Sequence, residues 1–230
     1  MEHLEELRRR IIRALIVLMT SVLVSFALSG HIASFLMAPV SNLGVSLHSF
    51  SPAEKFMAYL HIAAAAGVVF SSPFLILQAG MFIWPALIGR ERRYAVISLL
   101  VVPLLFLSGS AAAYIFLAPS ALRFFLSFGS GDGVEAMWGF RQYISLLSGL
   151  MLASGLLLQM PLITLVLFAL GIASPRKAAS MRPYIVLLIF FLAGVLTPPD
   201  ITSQLMLGIP LYLLFEATIL LGMLMTKRRK

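Results

Sequence analysis

The apolar and polar positions of this chain fall into six apolar segments, at about 11–29, 56–87, 94–119, 139–170, 184–197 and 204–225, set off by short polar or charged stretches. Membrane-spanning β-strands would alternate apolar and polar side chains in runs of roughly ten. Here the apolar runs are continuous and mostly reach the ~20 residues that cross a bilayer as helix. The pattern predicts an all-α polytopic membrane protein with six transmembrane helices. The segments share no repeat of length or motif, so residues 1–230 read as a single six-span membrane domain.

Two segments are too long for one straight crossing, and each contains a proline, Pro73 and Pro161, that predicts a kink or tilt. The fifth is short: Ile185 to Leu196 rises only about 18 Å as helix, against roughly 30 Å of hydrocarbon. The first, Ile11 to Leu28, is full length and lacks a small-residue cleavage site, so it reads as a retained span rather than a signal peptide.

Composition agrees. Hydrophobic residues make up 60% of the chain and charged residues 11%, and the mean hydropathy is +1.01. A soluble domain of this size could not cover that much apolar surface. The chain has no cysteine, which excludes a disulfide framework, a thiol nucleophile and Cys-ligated metal.

The net charge of +8 could point to nucleic acid, but its distribution points to topology. Threaded through six spans, Arg8, Arg9, Arg10 and Arg13, then Arg90, Arg92 and Arg93, then Arg176, Lys177 and Arg182, then Lys227 to Lys230 share one side. That is fourteen of the seventeen basic residues; only Lys55, Arg123 and Arg141 fall opposite. Basic residues accumulate on the cytoplasmic side, so both termini are expected there. Trp84, Trp138 and Tyr143 fall near predicted span ends, where interfacial aromatics belong. The two long external connections, Gly30–Lys55 and Pro119–Trp138, are expected to form ordered caps or short surface helices.

Four features carry candidate chemistry. HLEELRRR, residues 3–10, is amphipathic as helix, with Glu5–Arg9 and Glu6–Arg10 at i, i+4 spacing; its plain reading is a lead-in lying on the membrane. IGRERR, 88–93, sets Glu91 among three arginines. LTPPDITSQ, 196–204, is a tight external hairpin: Pro198 and Pro199 stop the fifth helix at about Thr197, and Asp200, Thr202 or Ser203 can cap the next. Finally, Gln159 and Glu216 lie within spans, each about 15–18 Å from a membrane surface. An intramembrane carboxylate is a functional candidate; otherwise Glu216 holds helices together by hydrogen bonding, with Gln159 one available partner.

Taken in order, these stretches resemble the TatC family, the multispanning receptor subunit of the twin-arginine protein translocase. HLEELRRR is similar to the family's H-L-x-E-L-R-x-R. SPAEKF at 51–56, which contains Pro52, is similar to S-P-x-E-x-F before the second span. QAGMFIWPALIGRERR at 78–93 is similar to Q-x-x-x-F-x-x-P-x-L followed by E-R-R. LTPPDITSQ and IPLYLLFE at 209–216 are similar to the fifth-to-sixth hairpin and the last span. Many members carry glutamate where this chain has Gln159.

The resemblance implies a concave, glove-like arrangement of six helices in the bacterial inner membrane. It implies a receptor that binds twin-arginine signal peptides of folded proteins at the cytoplasmic face, then recruits single-span TatA-like and TatB-like subunits, with export driven by the proton-motive force. Glu6, Glu91, Arg8, Phe82 and Pro85 would form the signal-peptide site. Gln159 and Glu216 would line the concave face used by the signal helix or partners. Pro52, Pro198, Pro199, Asp200 and Gln204 would shape caps and the hairpin. Membrane lipid and further copies of the chain are the other expected partners; no nucleic acid, cofactor or metal is expected.

Two rivals make different demands. A proton-coupled transporter using Glu216 needs Gly/Pro-interrupted spans in symmetric halves. An intramembrane protease needs a nucleophile or metal constellation within spans, where His61 stands without a partner.

Overall fold

The computed structural model describes residues 2–83, 91–128, 137–169 and 171–227. Its first helix, α1, runs unbroken from Glu2 to Ala27. No glycine or proline interrupts that stretch, so the charged lead-in continues the axis of the first span instead of lying flat on the membrane, as its amphipathic pattern alone predicts. Helix α2 (Ser29–Ser41) follows at the far end. The turn after it closes on Gly44, whose φ of 71° lets Gly44 N and Val45 N bond back to Ser41 O and Val40 O.

Helix α3 (Pro52–Ile83) opens on a capping box. Glu54 N bonds to Ser51 Oγ at 3.2 Å, and the Glu54 carboxylate accepts from Phe50 N at 2.7 Å. Pro52 sits at the first helical position, where its missing N–H is no loss. The helix continues through Pro73, and Ser72 Oγ bonds Val69 O, the carbonyl that Pro73 leaves without a backbone donor.

Helix α4 (Glu91–Ala112) passes into a π-helical turn, Ala113–Leu117, and then α5 (Ala118–Ser127). Pro119 cannot donate an intrahelical bond, so a wider turn just before it is physically reasonable. The third span therefore continues about eight residues past its predicted end at 119. The fourth apolar segment divides into α6 (Phe140–Leu157) and α7 (Met160–Ala169) just before Pro161, the position at which a kink is predicted. A short helix α8 (Pro175–Ser180) leads to α9 (Arg182–Leu196), and α10 (Ile201–Lys227) completes the fold.

Among the described residues, five helical stretches are long and apolar enough to cross a membrane: Glu5–Ala27, Pro52–Ala79, Val101–Ser127, Phe140–Phe168 and Ile201–Leu224. Helix α9 is apolar but short. Its 15 residues rise about 22 Å.

The connection after α1 is ordered, as expected: α2 is followed by a strand, β1 (Leu47–His48), which pairs in parallel with β2 (Trp138–Gly139). Much of the second long connection, 129–136, lies outside the described residues, as does Trp84. Two tyrosines from separate spans hold α2 down. Pro39 offers no N–H to Phe35 O, and Tyr114 Oη supplies the missing donor at 2.7 Å. Tyr143 Oη donates to Leu36 O at 2.5 Å. Tyr143 is only 3% exposed, so it is an internal strut rather than the interfacial aromatic its position in the sequence predicts.

One buried apolar cluster joins α2, α3, α5 and α6, including Leu36, Ile62, Leu122 and Ile144. A second joins α6 to α9 and α10, including Leu150, Ala193, Leu207 and Leu211. Small residues allow the closest approaches, as they do between membrane helices. A Cβ on Gly109 would lie 2.8 Å from Ser154 O and 2.9 Å from Gly155 Cα.

Candidate functional site

The N-terminal end of the bundle carries the first candidate cluster. Helix α2, which follows α1, packs beside Ala58 and Ile62 near the start of α3, so α1 and α3 run antiparallel. Val22 of α1 lies against Gly67 of α3, and Ser21 Oγ bonds Gly67 O at 3.0 Å. Sixteen residues back from Val22 is Glu6, and sixteen on from Gly67 is Ile83. Helices advance equally per residue, so Glu6 stands level with the last residues of α3, Phe82 and Ile83.

Glu6 is paired along its own helix: Arg10 Nε donates to Glu6 Oε1 at 3.1 Å, and Arg10 Nη2 donates to the same oxygen. Its side chain is still 37% exposed. The parallel pair Glu5–Arg9 is a 4.0 Å contact between exposed groups, and Arg8 is exposed. Glu91 is the first residue of α4, but its side chain, that of Phe82, and all of Pro85 lie outside the described residues.

Gln159 occupies the break between α6 and α7. Its backbone N bonds Leu156 O at 3.0 Å instead of continuing the α-helical ladder. Its side-chain amide donates to the Gly155 carbonyl left without that bond, at 3.2 Å, and to Val102 O of α4 at 3.1 Å. Gln159 is therefore a bridge across the α4–α6 seam, 7% exposed, and it does not pair with Glu216. Its Oε1 is buried without a partner among the described residues.

Glu216 has a different partner, Arg182, whose place among the basic residues of one side points only to topology. Arg182 Nε donates to Oε1 at 2.7 Å and Nη2 to Oε2 at 2.9 Å, a two-bond fork, and Tyr212 Oη donates to Oε1 at 3.0 Å. The fork ties the first residue of α9 to the side of α10, with Lys227 eleven residues beyond. The carboxylate is neutralised where it sits, and pairing of this kind makes a charge tolerable among apolar helices.

At the other end of the hairpin, α9 stops at Leu196, and Thr197 Oγ1 bonds Ala193 O at 2.8 Å. Asp200 caps α10 by accepting from Ser203 N at 2.7 Å. Gln204 Nε2 crosses to Phe190 O at 2.8 Å, passing over Gly194, where a Cβ would lie 3.0 Å from that nitrogen. Asp200 Oδ1 and Ser203 Oγ are buried without partners among the described residues. No group of His, Asp or Glu among the described residues could hold a metal ion.

Comparison with known proteins matches this arrangement. A family model described as "Sec-independent protein translocase protein (TatC)" matches residues 2–210. The Sec-independent protein translocase protein TatC of Aquifex aeolicus is 34% identical over 232 residues, covering 100% of this chain and 96% of the relative. That of Magnetococcus marinus is also 34% identical, covering 99% and 85%. A crystal structure described as the twin arginine translocase receptor TatC superposes with a TM-score of 0.81 at 33% identity, covering 96% of this chain and 99% of that one. The chain belongs to the TatC family of Sec-independent protein translocase proteins, multi-pass membrane proteins that serve protein transport and are not enzymes.

Proposed function

We propose that this protein is the receptor of a twin-arginine translocase in the bacterial inner membrane, crossing it six times with both termini in the cytoplasm. It binds the twin-arginine signal peptide of a folded precursor, then assembles with single-span TatA-like and TatB-like subunits and further copies of itself for export driven by the proton-motive force. Glu6 and Glu91 receive the two arginines, Arg8 helps orient the acids, and Phe82 and Pro85 shape the adjoining loop. Gln159 and Glu216 serve the signal helix or partner subunits from the concave side.

The observation that carries this reading is the register of α1 against α3, which sets Glu6 level with Phe82 and Ile83. Glu6 stands at the end of α3 from which the chain runs on to Glu91, the first residue of α4, and this supports a site in which acids from two separate helices serve one extended peptide. The arginines around them keep the surface from attracting every basic segment. The Arg182–Glu216 pair also removes the free carboxylate that a proton-coupled transporter would need.

Precursor crosslinking tests the proposal. Glu6→Ala or Glu91→Ala alone weakens capture of a twin-arginine precursor, and the double variant nearly abolishes it, while membrane insertion is unchanged because no topogenic arginine is lost. An exposed ion pair is worth only about 0–1 kcal/mol, so the large loss requires a partly desolvated pocket. Capture by the double variant equal to that of the parent would overturn the assignment.

A further inference from the structure

A crevice of about 680 Å³ lies between α7, α9 and α10. Its wall is Ile185 and Leu188 of α9 with Met181 just before that helix, its floor on α10 is Leu211 and Phe215, and its rim at the α8 end carries Lys177. We propose that this crevice holds one acyl chain of an anionic phospholipid, with the lipid phosphate at Lys177.

The chemistry of the lining selects a hydrocarbon occupant. Apart from Lys177, the polar side chains along it are Thr164 and Ser174. Thr164 already donates to Met160 O at 2.9 Å, and Ser174 is exposed beside Lys177. No charged side chain lies deep in the crevice, so a polar group entering it exchanges water for few partners, whereas a hydrocarbon chain gives up none.

The charge at the rim selects the headgroup. Among the described residues, no carboxylate pairs with Lys177 or its neighbour Arg176, and the next cation along, Arg182, is committed to Glu216. Lys177 stands where an apolar slot opens, with Arg176 next to it in the chain, and the complementary ligand carries an anion at the head of a hydrocarbon chain. Basic sites between helices at the cytoplasmic face bind anionic lipids in this way. From the receptor reading the proposal takes only the orientation, which places α8 at the cytoplasmic leaflet. Gly222, near the end of α10, packs against Pro175 of α8, so the crevice opens at the end that carries the C-terminus.

The test uses the full-length protein in detergent with phosphatidylglycerol carrying a diazirine in mid-chain. After irradiation, peptide mass spectrometry is expected to find adducts concentrated on Ile185 and Leu188, displaced by unlabelled phosphatidylglycerol and poorly by phosphatidylcholine. Lys177→Gln is expected to lower labelling about fivefold, the worth of one basic residue at an anionic surface. Leu188→Trp, which fills the slot and leaves the rim intact, is expected to lower it as well. Adducts spread evenly over α1 and the other lipid-facing helices would overturn the proposal, as would equal competition by the two lipids. Detergent has no sidedness, so a wrong orientation shows up in topology measurements and leaves this result unaffected.

Discussion

Arg182 and Glu216 stand seventeen residues on either side of Pro199 and meet in a two-bond ion pair. The same symmetry holds along the hairpin: Phe190 packs on Gly208, each nine residues from Pro199, and Gly194 on Gln204, each five away. The prolines fix where the chain reverses, equal helical rise brings the partners level, and the ion pair fastens the open end of the hairpin.

Arg182→Gln and Glu216→Gln should therefore each lower the thermal midpoint of the purified protein by a few degrees, because each leaves a partly buried charge without its opposite. The swap carrying Arg182→Glu together with Glu216→Arg should recover part of the loss. Additive loss in the double swap would show that the two side chains are not coupled.

Gly109→Ala should cost about 1–3 kcal/mol in reversible unfolding, since its Cβ would meet backbone atoms of Ser154 and Gly155, which cannot rotate away. Gly149→Ala, where a Cβ would meet nothing within 4 Å, should be neutral or slightly stabilising in the same helical bundle.

Much of this was legible in the sequence. Run length gave the long spans, Pro161 the break between α6 and α7, and the Pro-Pro pair the stop of α9. The Arg182–Glu216 pair is legible too, by folding the hairpin about Pro199, although Arg182 also fits the basic cluster that marks one side of the membrane. The parallel pairing of Leu47 with Trp138 and the hold of Tyr114 and Tyr143 on α2 were not legible. They join segments 79 to 107 residues apart, and no local pattern records which carbonyl a distant hydroxyl will find. Gln159 gave no sign of bonding Val102, because that contact depends on how α4 packs beside the break.

The thin fifth helix leads to an accessibility prediction. Ile201 is 75% exposed at the hairpin tip, and the chain has no other thiol. In intact cells Ile201→Cys should react with a small charged thiol reagent if water or a local dent in the bilayer reaches this end. Reporters fused after Lys177 and Lys230 should read cytoplasmic, and those at Ser46 and Gly131 external. Full protection of the thiol in the Ile201→Cys variant would show that protein or lipid covers the tip, and an external C-terminus would break the six-span threading.

The receptor claim is tested most directly by proximity. With Glu5→Cys in this Cys-free chain and a cysteine beside the paired arginines of a precursor signal peptide, a disulfide should form in membranes. A twin-lysine precursor should lose most of that yield, because an ammonium cannot reproduce the planar fork that matches a carboxylate. Equal yields from the arginine and lysine precursors, or no disulfide from either while export proceeds, would contradict the account.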